Sequence, residues 1–321
     1  MLESQHHRSE WFMIVNPIAQ NGRCLLEYPN ISKRLYEEGV MCEPHFTERK
    51  FHAVELTVCA INEGYRKIIV VGGDGTLHEV VNGLYIQQQT SPSDVLIAVI
   101  AVGDNNEWLR NLGFKENSTL GENIKAIKAE ESRLQDVGVV SYEEAHYRQS
   151  RYMVGMGSMG FSSHITKRHH HIKMKYNNSR WRYLLCVAWG FFRYKSKGVK
   201  VFVDDELVYN DLLFSAAIGI HKFNNAGVQP LPDAVADDGL LDVTLIQPMH
   251  FWHILFRLRY LFDGNLYRIG HTRRLRGKLI RIESIPDSHV EVDGELLGGT
   301  PFEFSVINRA LRIVVKRGDN D

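Results

Sequence analysis

Hydrophobic and polar positions follow two different patterns along the chain. In the first, short apolar runs alternate with amphipathic stretches. Trp11 to Val15 (WFMIV) is long enough for a buried strand and stops at Asn16-Pro17. Leu25 to Glu38 has helical periodicity, with Gly39 placed to cap it, and Pro44 to Thr47 is weakly strand-like. Val54, Val58 and Ile61 give Ala53 to Glu63 one apolar helical face, and Gly64 follows. Lys67 to Val71 (KIIVV) and Val95 to Val102 (VLIAVIAV) read as buried strands. Each leads through a glycine-containing loop into a predicted helix, about Leu77 to Gln87 and Glu107 to Leu112 respectively. This alternation predicts an α/β fold with right-handed crossovers, a parallel sheet and helices on both faces. Ligands in such sheets sit beyond the carboxyl ends of the strands. Three loops are expected there: Asn16 to Arg23, Gly72 to Thr76 and Gly103 to Glu107.

After about Asp136 strand-like runs follow one another directly: Val199 to Val203, Leu212 to Ile220, Leu241 to Ile246, Lys278 to Glu283, His289 to Val292, Phe302 to Val306 and Leu311 to Val315. Only Arg180 to Tyr194 and Phe251 to Phe262 interrupt them with helical spacing. The pattern predicts a mostly antiparallel β domain, a sandwich. The expected division is 1–135 and 136–321, with the last strand packing back towards the first domain. A length of 321 residues agrees with two domains at roughly 150 residues each.

Composition adds little to this picture and charge distribution adds more. Hydrophobic residues make up 44% and charged residues 24%, as in globular proteins. The longest apolar stretch, Leu184 to Phe192, is far short of the ~20 residues of a membrane-spanning helix. Residues 1–10 are polar and lack the apolar core of a signal peptide, which leads to the expectation of a cytoplasmic protein. The four cysteines are scattered without metal-ligand spacing and read as buried thiols in a reducing compartment. With 38 basic and 38 acidic residues, no whole-chain argument for a nucleic-acid partner exists. Yet ten Lys or Arg and no acid lie between Lys167 and Val203, and a second basic run spans Arg257 to Arg281 with Asp263 its only acid. Such local charge can steer an anionic surface. Arg180 to Tyr194 reads first as a core helix, with membrane-surface docking the sharper alternative. His169 to His171 read as solvated loop histidines.

The strongest candidate chemistry lies in KIIVVGGDGTLHEVVN, Lys67 to Asn82. Gly72, Gly73 and Gly75 lack a Cβ, so a phosphate can approach main-chain N–H groups closely. The helix that follows adds the positive end of its dipole. Asp74 then sits where anions gather, which suits holding a metal-bound water or a substrate proton. Thr76 and Glu79 have the spacing of a capping box. Further along, Asp293 and Glu295 alternate, so in a strand they would share a face. One hydroxyl nucleophile needs one such carboxylate. A D-G hairpin turn is the competing reading of Asp293-Gly294.

These motifs resemble the diacylglycerol kinase catalytic family. G-G-D-G-T is similar to the nucleotide loop shared by diacylglycerol and sphingosine kinases, NAD kinases and phosphofructokinases. Thr76 to Gly83 (TLHEVVNG) is similar to the lipid-kinase branch, where His78 stands in place of a common Asn and reads as solvent-facing. Asn16-Pro17, the segment Val235 to Val243 (VADDGLLDV) and Val292 to Glu295 (VDGE) resemble the family's other signatures, in order, across about Phe12 to Val315.

The resemblance implies an NAD kinase/phosphofructokinase-like nucleotide domain and a lipid-substrate β-sandwich. It implies a lipid kinase using ATP and Mg²⁺ on diacylglycerol, with sphingoid bases, ceramide or another lipid as alternative acceptors. A catalytically weakened homologue that binds lipid or nucleotide is the other alternative. Asn16, Arg23, Gly72, Gly73, Gly75, Thr76, Glu79, Gly103 and Asn106 would contact the nucleotide, in a crevice between the domains. Asp74 would hold its cation, Asp293 would act as general base and Glu295 would support it. Asp238 with the carbonyls of Val235 and Leu240 would hold a structural Mg²⁺. The acceptor would arrive from a membrane surface, giving a peripheral protein at the inner face. The oligomeric state stays open, a homodimer included. Two departures fall on the nucleotide side: Ala19-Gln20 replaces S-G, and Asp104 replaces a threonine hydroxyl facing the phosphates. Asp104 implies a bridging metal or weakened ATP binding.

Overall fold

The computed structural model describes residues 10–102, 107–114, 118–164, 190, 191, 193–224, 228–250, 252, 260 and 263–316. They fall into two compact units, Met1–Gln135 with Ala310–Asp321, and Asp136–Arg309. The segment expected to form the second domain therefore ends at Arg309, and the C-terminal residues group with the first unit.

The first unit contains β1 (Trp11–Val15), α1 (Arg23–Glu37), β2 (Cys42–Phe46), α2 (His52–Asn62), β3 (Lys67–Gly72), α3 (Asp74–Ile86), β4 (Leu96–Ala101), α4 (Glu107–Asn111) and α5 (Leu120–Ala129). Its strands run parallel in the order β2-β1-β3-β4, and Arg312 and Ile313 of the final strand pair in parallel with Leu96 and Ile97. All of β1, Ile68 to Gly72 of β3 and Leu96 to Ile100 of β4 are buried. A parallel sheet covered on both faces needs such uninterrupted apolar runs, because both sides of every strand leave water. Each fully buried Val, Ile or Phe contributes about 1.5–3 kcal/mol. Helices α2 and α3 pack together, and a Cβ at Gly83 would stand 2.7 Å from the Thr57 Cβ and 2.8 Å from the Val54 carbonyl. Glycine at this position lets the two helices meet.

The second unit is antiparallel. It holds β5 (Ser132–Glu144, from Asp136 onward), β6 (Tyr147–Met153), β7 (Met156–Gly160), β8 (Lys197–Val203), β9 (Glu206–Leu213), β10 (Ser215–Gly219), β11 (Leu241–Ile246), β12 (Thr272–Gly277), β13 (Leu279–Ile285), β14 (His289–Val292) and β15 (Glu295–Val314, up to Arg309). The ladder β12-β11-β10-β7-β14-β15 is joined by β13-β8-β9, and β5 pairs with β6. The predicted strand over Leu212 to Ile220 is two strands broken at Phe214, whereas the predicted strands over Phe302 to Val306 and Leu311 to Val315 merge into one long strand that ends at Val314. Alternate residues of these strands, among them Val201, Ile280, Ile282, Val290, Val292, Phe302 and Phe304, fill the core of a sandwich. The helices expected over Arg180 to Tyr194 and Phe251 to Phe262 lie almost wholly outside the described residues, as do His169 to His171 and Cys186. Of the other cysteines Cys24 is buried, but Cys59 is exposed, against expectation. No described helix is long and apolar enough to cross a membrane.

Candidate active site

In the first unit, β1 and β3 end side by side. Asn16 follows β1, and its N–H donates to the Val71 carbonyl at 2.9 Å. Its side-chain amide donates to the Thr76 hydroxyl at 2.9 Å, joining the first and second predicted loops. The glycines divide into two kinds. A Cβ on Gly72 would lie 2.7 Å from the Thr76 hydroxyl, so this glycine makes room inside the protein. A Cβ on Gly73 or Gly75 would meet nothing within 4 Å. Those two leave space outside, at the start of a thirteen-residue helix, where the positive end of its dipole lies. Such a corner suits phosphate oxygens.

Helix α3 begins at Asp74 with Gly73 at the N-cap, so Thr76 does not cap it. Glu79 closes no capping box. Its carboxylate accepts the Phe51 and Ala53 N–H groups at 3.0 and 3.2 Å, at the start of α2. The capping box that does form is Thr119 with Glu122 on α5. His78 is buried at 1% exposure, contrary to the solvent-facing expectation. Arg23 opens α1, and its Nε donates to Glu27 at 2.5 Å, an exposed pair one turn apart. Gly103, Asp104 and Asn106 lie outside the described residues.

Gly73 gives the most direct test of this corner. Its backbone (φ −115°, ψ −170°) accommodates alanine. Gly73→Ala should therefore keep stability within about 1 kcal/mol while raising the dissociation constant for ATP about tenfold or more. Thermal melting and nucleotide titration check the two halves. Unchanged affinity would remove the loop from nucleotide binding.

In the second unit Asp293 and Gly294 are the two residues of a hairpin turn between β14 and β15, with φ of +47° and +88°. Paired positive values are those of the type I′ turn favoured by Asp-Gly. Asp293 and Glu295 therefore do not share a strand face: one is in the turn and the other opens β15 opposite Val292. The turn aims the Asp293 carboxylate at the chain between β6 and β7. It accepts the N–H groups of Val154 (2.7 Å), Gly155 (2.9 Å) and Met156 (3.1 Å). Three main-chain donors fix the direction of this carboxylate.

Glu291, which the sequence reading passed over, lies two residues before it. The register of β14 on β7 places Glu291 opposite Ser158, whose hydroxyl donates to Glu291 at 2.7 Å. The Gly294 N–H donates to its other oxygen at 2.8 Å, closing the turn. Burial, with the Asp293 charge adding, raises the Glu291 pKa despite those two donors. An acid whose folded pKa lies above its unfolded one holds extra protons when folded. Its contribution to stability is thus lost as pH rises from the ordinary carboxylate range through the raised value, at up to about 1.4 kcal/mol per pH unit. Glu291→Gln, which retains an acceptor for Gly294 and a partner for Ser158, should gain stability relative to wild type as pH rises. Urea denaturation at mildly acidic and neutral pH measures this, and a constant difference would contradict it.

The acidic loop is organised by another residue the sequence reading passed over. Asp136 is fully buried. Its two carboxylate oxygens accept the N–H groups of Gly239 and Arg309, each at 2.7 Å, and its own N–H donates to the Ala236 carbonyl at 2.7 Å. Burial raises its pKa, and the charges of Asp238 and Asp237 add to that. Gly239 takes φ +73°, and a Cβ there would strike the Asn308 side-chain amide at 2.4 Å.

Of the residues expected to ligate a structural Mg²⁺, Asp238 has protein partners on both carboxylate oxygens. One oxygen of Asp238 accepts the Leu240 N–H at 3.1 Å and the other takes a guanidinium N–H of Arg276. Asp237 pairs with Arg309 at 3.6 Å, and Asp242 accepts from Arg274 and Arg276 at 3.2 Å. Among the described residues no group of three or more His, Cys, Asp or Glu is placed to hold a metal.

The two units match two family models. Residues 10–140 match the diacylglycerol kinase catalytic domain, and residues 155–315 match the YegS C-terminal NAD kinase beta sandwich-like domain. The chain is 26% identical over 320 residues to "Putative lipid kinase YtlR" of Bacillus subtilis (strain 168), covering 95% of this chain and 99% of that one. It is 23% identical to a diacylglycerol kinase of Mycobacterium tuberculosis (strain ATCC 25618 / H37Rv), with 98% and 97% covered. The crystal structure of a diacylglycerol kinase from Bacillus anthracis str. Sterne superposes with a TM-score of 0.69 at 20% identity, covering 96% of this chain and 97% of that one. That likeness establishes a shared fold, a parallel α/β domain followed by an antiparallel sandwich. The chain belongs to the diacylglycerol kinase catalytic-domain family, a family of lipid kinases.

Proposed function

We propose that the chain transfers the γ-phosphate of ATP to a lipid hydroxyl, with diacylglycerol as acceptor and phosphatidic acid as product. The observation that carries this reading is the corner at Gly72 to Thr76, open above Gly73 and Gly75 and braced by Asn16. The β- and γ-phosphates would lie against the first N–H groups of α3. Asp74, the first residue of that helix, would face the Mg²⁺ that enters as part of the nucleotide substrate. When bound, that ion offsets negative charge on the phosphates. Gly103 and Asn106 complete the proposed nucleotide contacts, and Glu79 serves them indirectly by tying α2 to α3.

On the acceptor side, Asp293 would take a hydrogen bond from the lipid hydroxyl and then its proton as the oxygen attacks the γ-phosphorus, while the bond to the β,γ-bridging oxygen breaks and ADP leaves. Phosphoryl transfer asks a protein mainly for positioning and electrostatics. A carboxylate held by three N–H donors supplies both. Glu295, next to the turn, would support the acceptor. A lipid alcohol resides in a bilayer, so the protein would work at a membrane surface. Diacylglycerol is the favoured acceptor because several relatives carry that activity in their names.

The test is transfer of labelled γ-phosphate from Mg-ATP to diacylglycerol, sphingosine, ceramide and undecaprenol, with Asp293→Asn as blank. Label in phosphatidic acid supports the reading. Label confined to another lipid moves the acceptor class, and no transfer to any lipid overturns it.

A further inference from the structure

We propose that Arg276 replaces a bound divalent cation as the counter-charge of the 235–240 loop, so that this loop is held without metal. The inference stands apart from phosphate transfer and holds whichever lipid is the substrate.

The position of Arg276 is set by the sheet. β11 and β12 pair so that Asp242 and Arg276 are direct partners, with Arg274 opposite Thr244. From there the guanidinium reaches two aspartates at once. Its Nη2 donates to Asp238 and its Nε to Asp242 at 3.2 Å. A planar guanidinium holds two carboxylates at fixed angles through separate N–H groups, a geometry that an ammonium point charge does not impose. Arg274 repeats the pattern, donating to Asp233 at 2.8 Å and to Asp242 at 3.2 Å. Arg309 pairs with Asp237.

Asp233, Asp237, Asp238 and Asp242 thus each have a guanidinium partner. The Asp242 side chain is 3% exposed and Asp238 27% exposed, so this is not a loose surface pair. A divalent ion on Asp238 would have to displace Arg276 or sit against its positive charge. The loop is further anchored by the Gly239 N–H on Asp136, the Leu240 N–H on Asp238, the Asp136 N–H on the Ala236 carbonyl and the Arg309 Nε on the Asp237 carbonyl.

The experiment compares melting of the full chain, without nucleotide, in excess EDTA and in millimolar MgCl₂ at matched ionic strength. A specific site filled at a hundred times its dissociation constant would raise the midpoint by about 5 to 10 °C. For the wild type the two curves should coincide. Arg276→Leu, which uncovers Asp238 and Asp242, should melt lower in EDTA and recover several degrees with Mg²⁺. Arg276→Lys, which keeps the charge but loses the fork, should melt lower and stay insensitive to Mg²⁺. A wild-type midpoint that drops by several degrees on chelation and returns with Mg²⁺ overturns the proposal. So does Arg276→Leu melting like wild type in both buffers. Should Arg276→Leu fail to fold, the wild-type curves and Arg276→Lys decide the question.

Discussion

Asp293→Asn should lower kcat for lipid phosphorylation at least about a hundredfold and leave the KM for ATP nearly unchanged. A positioned general base typically contributes 10²–10⁴ in rate, and an amide cannot take the proton. The effect should fall on kcat because the proposed role of Asp293 is towards the acceptor hydroxyl, whereas the nucleotide is proposed to lie at the glycine corner. The substitution also disturbs structure. The amide has one oxygen where the carboxylate has two, so one of the three N–H donors at Val154, Gly155 and Met156 loses its acceptor. An unpaired buried donor costs about 1–3 kcal/mol. A protein stabilised by roughly 5–15 kcal/mol remains folded after that loss. Activity measured well below the melting range therefore separates the chemical effect from the structural one. A variant within threefold of wild type would take the base role from Asp293.

The D-G-E segment shows where sequence patterning stops being informative. Val290 to Glu295 alternates apolar and acidic residues, which reads equally well as a strand or as two strand ends around an Asp-Gly turn. Local pattern cannot choose between them. The choice is made by the N–H groups of 154–156, which receive the Asp293 carboxylate more than 130 residues away in sequence. Glu291 was overlooked for the same reason, since only the β7 register brings Ser158 to it.

The first unit was far more readable. Its central strands are buried on both faces, so they appear as unbroken apolar runs, and Trp11–Val15 and Lys67–Gly72 lie where the pattern places them. The details of its glycine motif were not readable. Glu79 has the spacing of a capping partner, yet it caps α2, because Gly83 lets α2 and α3 approach closely. The helix half of the motif is thus scaffold for the loop half. Helix α5 and the β5–β6 hairpin are partly exposed and carry weaker patterns, which do not distinguish them from loops.

Asp136→Ala should destabilise the protein by about 4 kcal/mol and lower its melting temperature by roughly 8 to 16 °C. Asp136 joins Gly239 and Arg309, 103 and 173 residues away in sequence, through two bonds of 2.7 Å. Alanine leaves both N–H groups without an acceptor in a site where the aspartate was fully buried, at about 1–3 kcal/mol each. It also frees the loop carrying Asp237 and Asp238, so their pairs with Arg309 and Arg276 lose their fixed geometry. Asp136→Asn keeps one acceptor oxygen and should fall between alanine and wild type. The two substitutions should also differ in their response to pH. Because burial raises the wild-type pKa, stability is lost as pH climbs through the ionisation of Asp136, whereas neither variant carries that slope. The deficit of both variants should therefore be largest at mildly acidic pH and shrink towards neutrality. A deficit that grows with pH would mean that the ionised carboxylate, despite its burial, is the form the two N–H donors stabilise most.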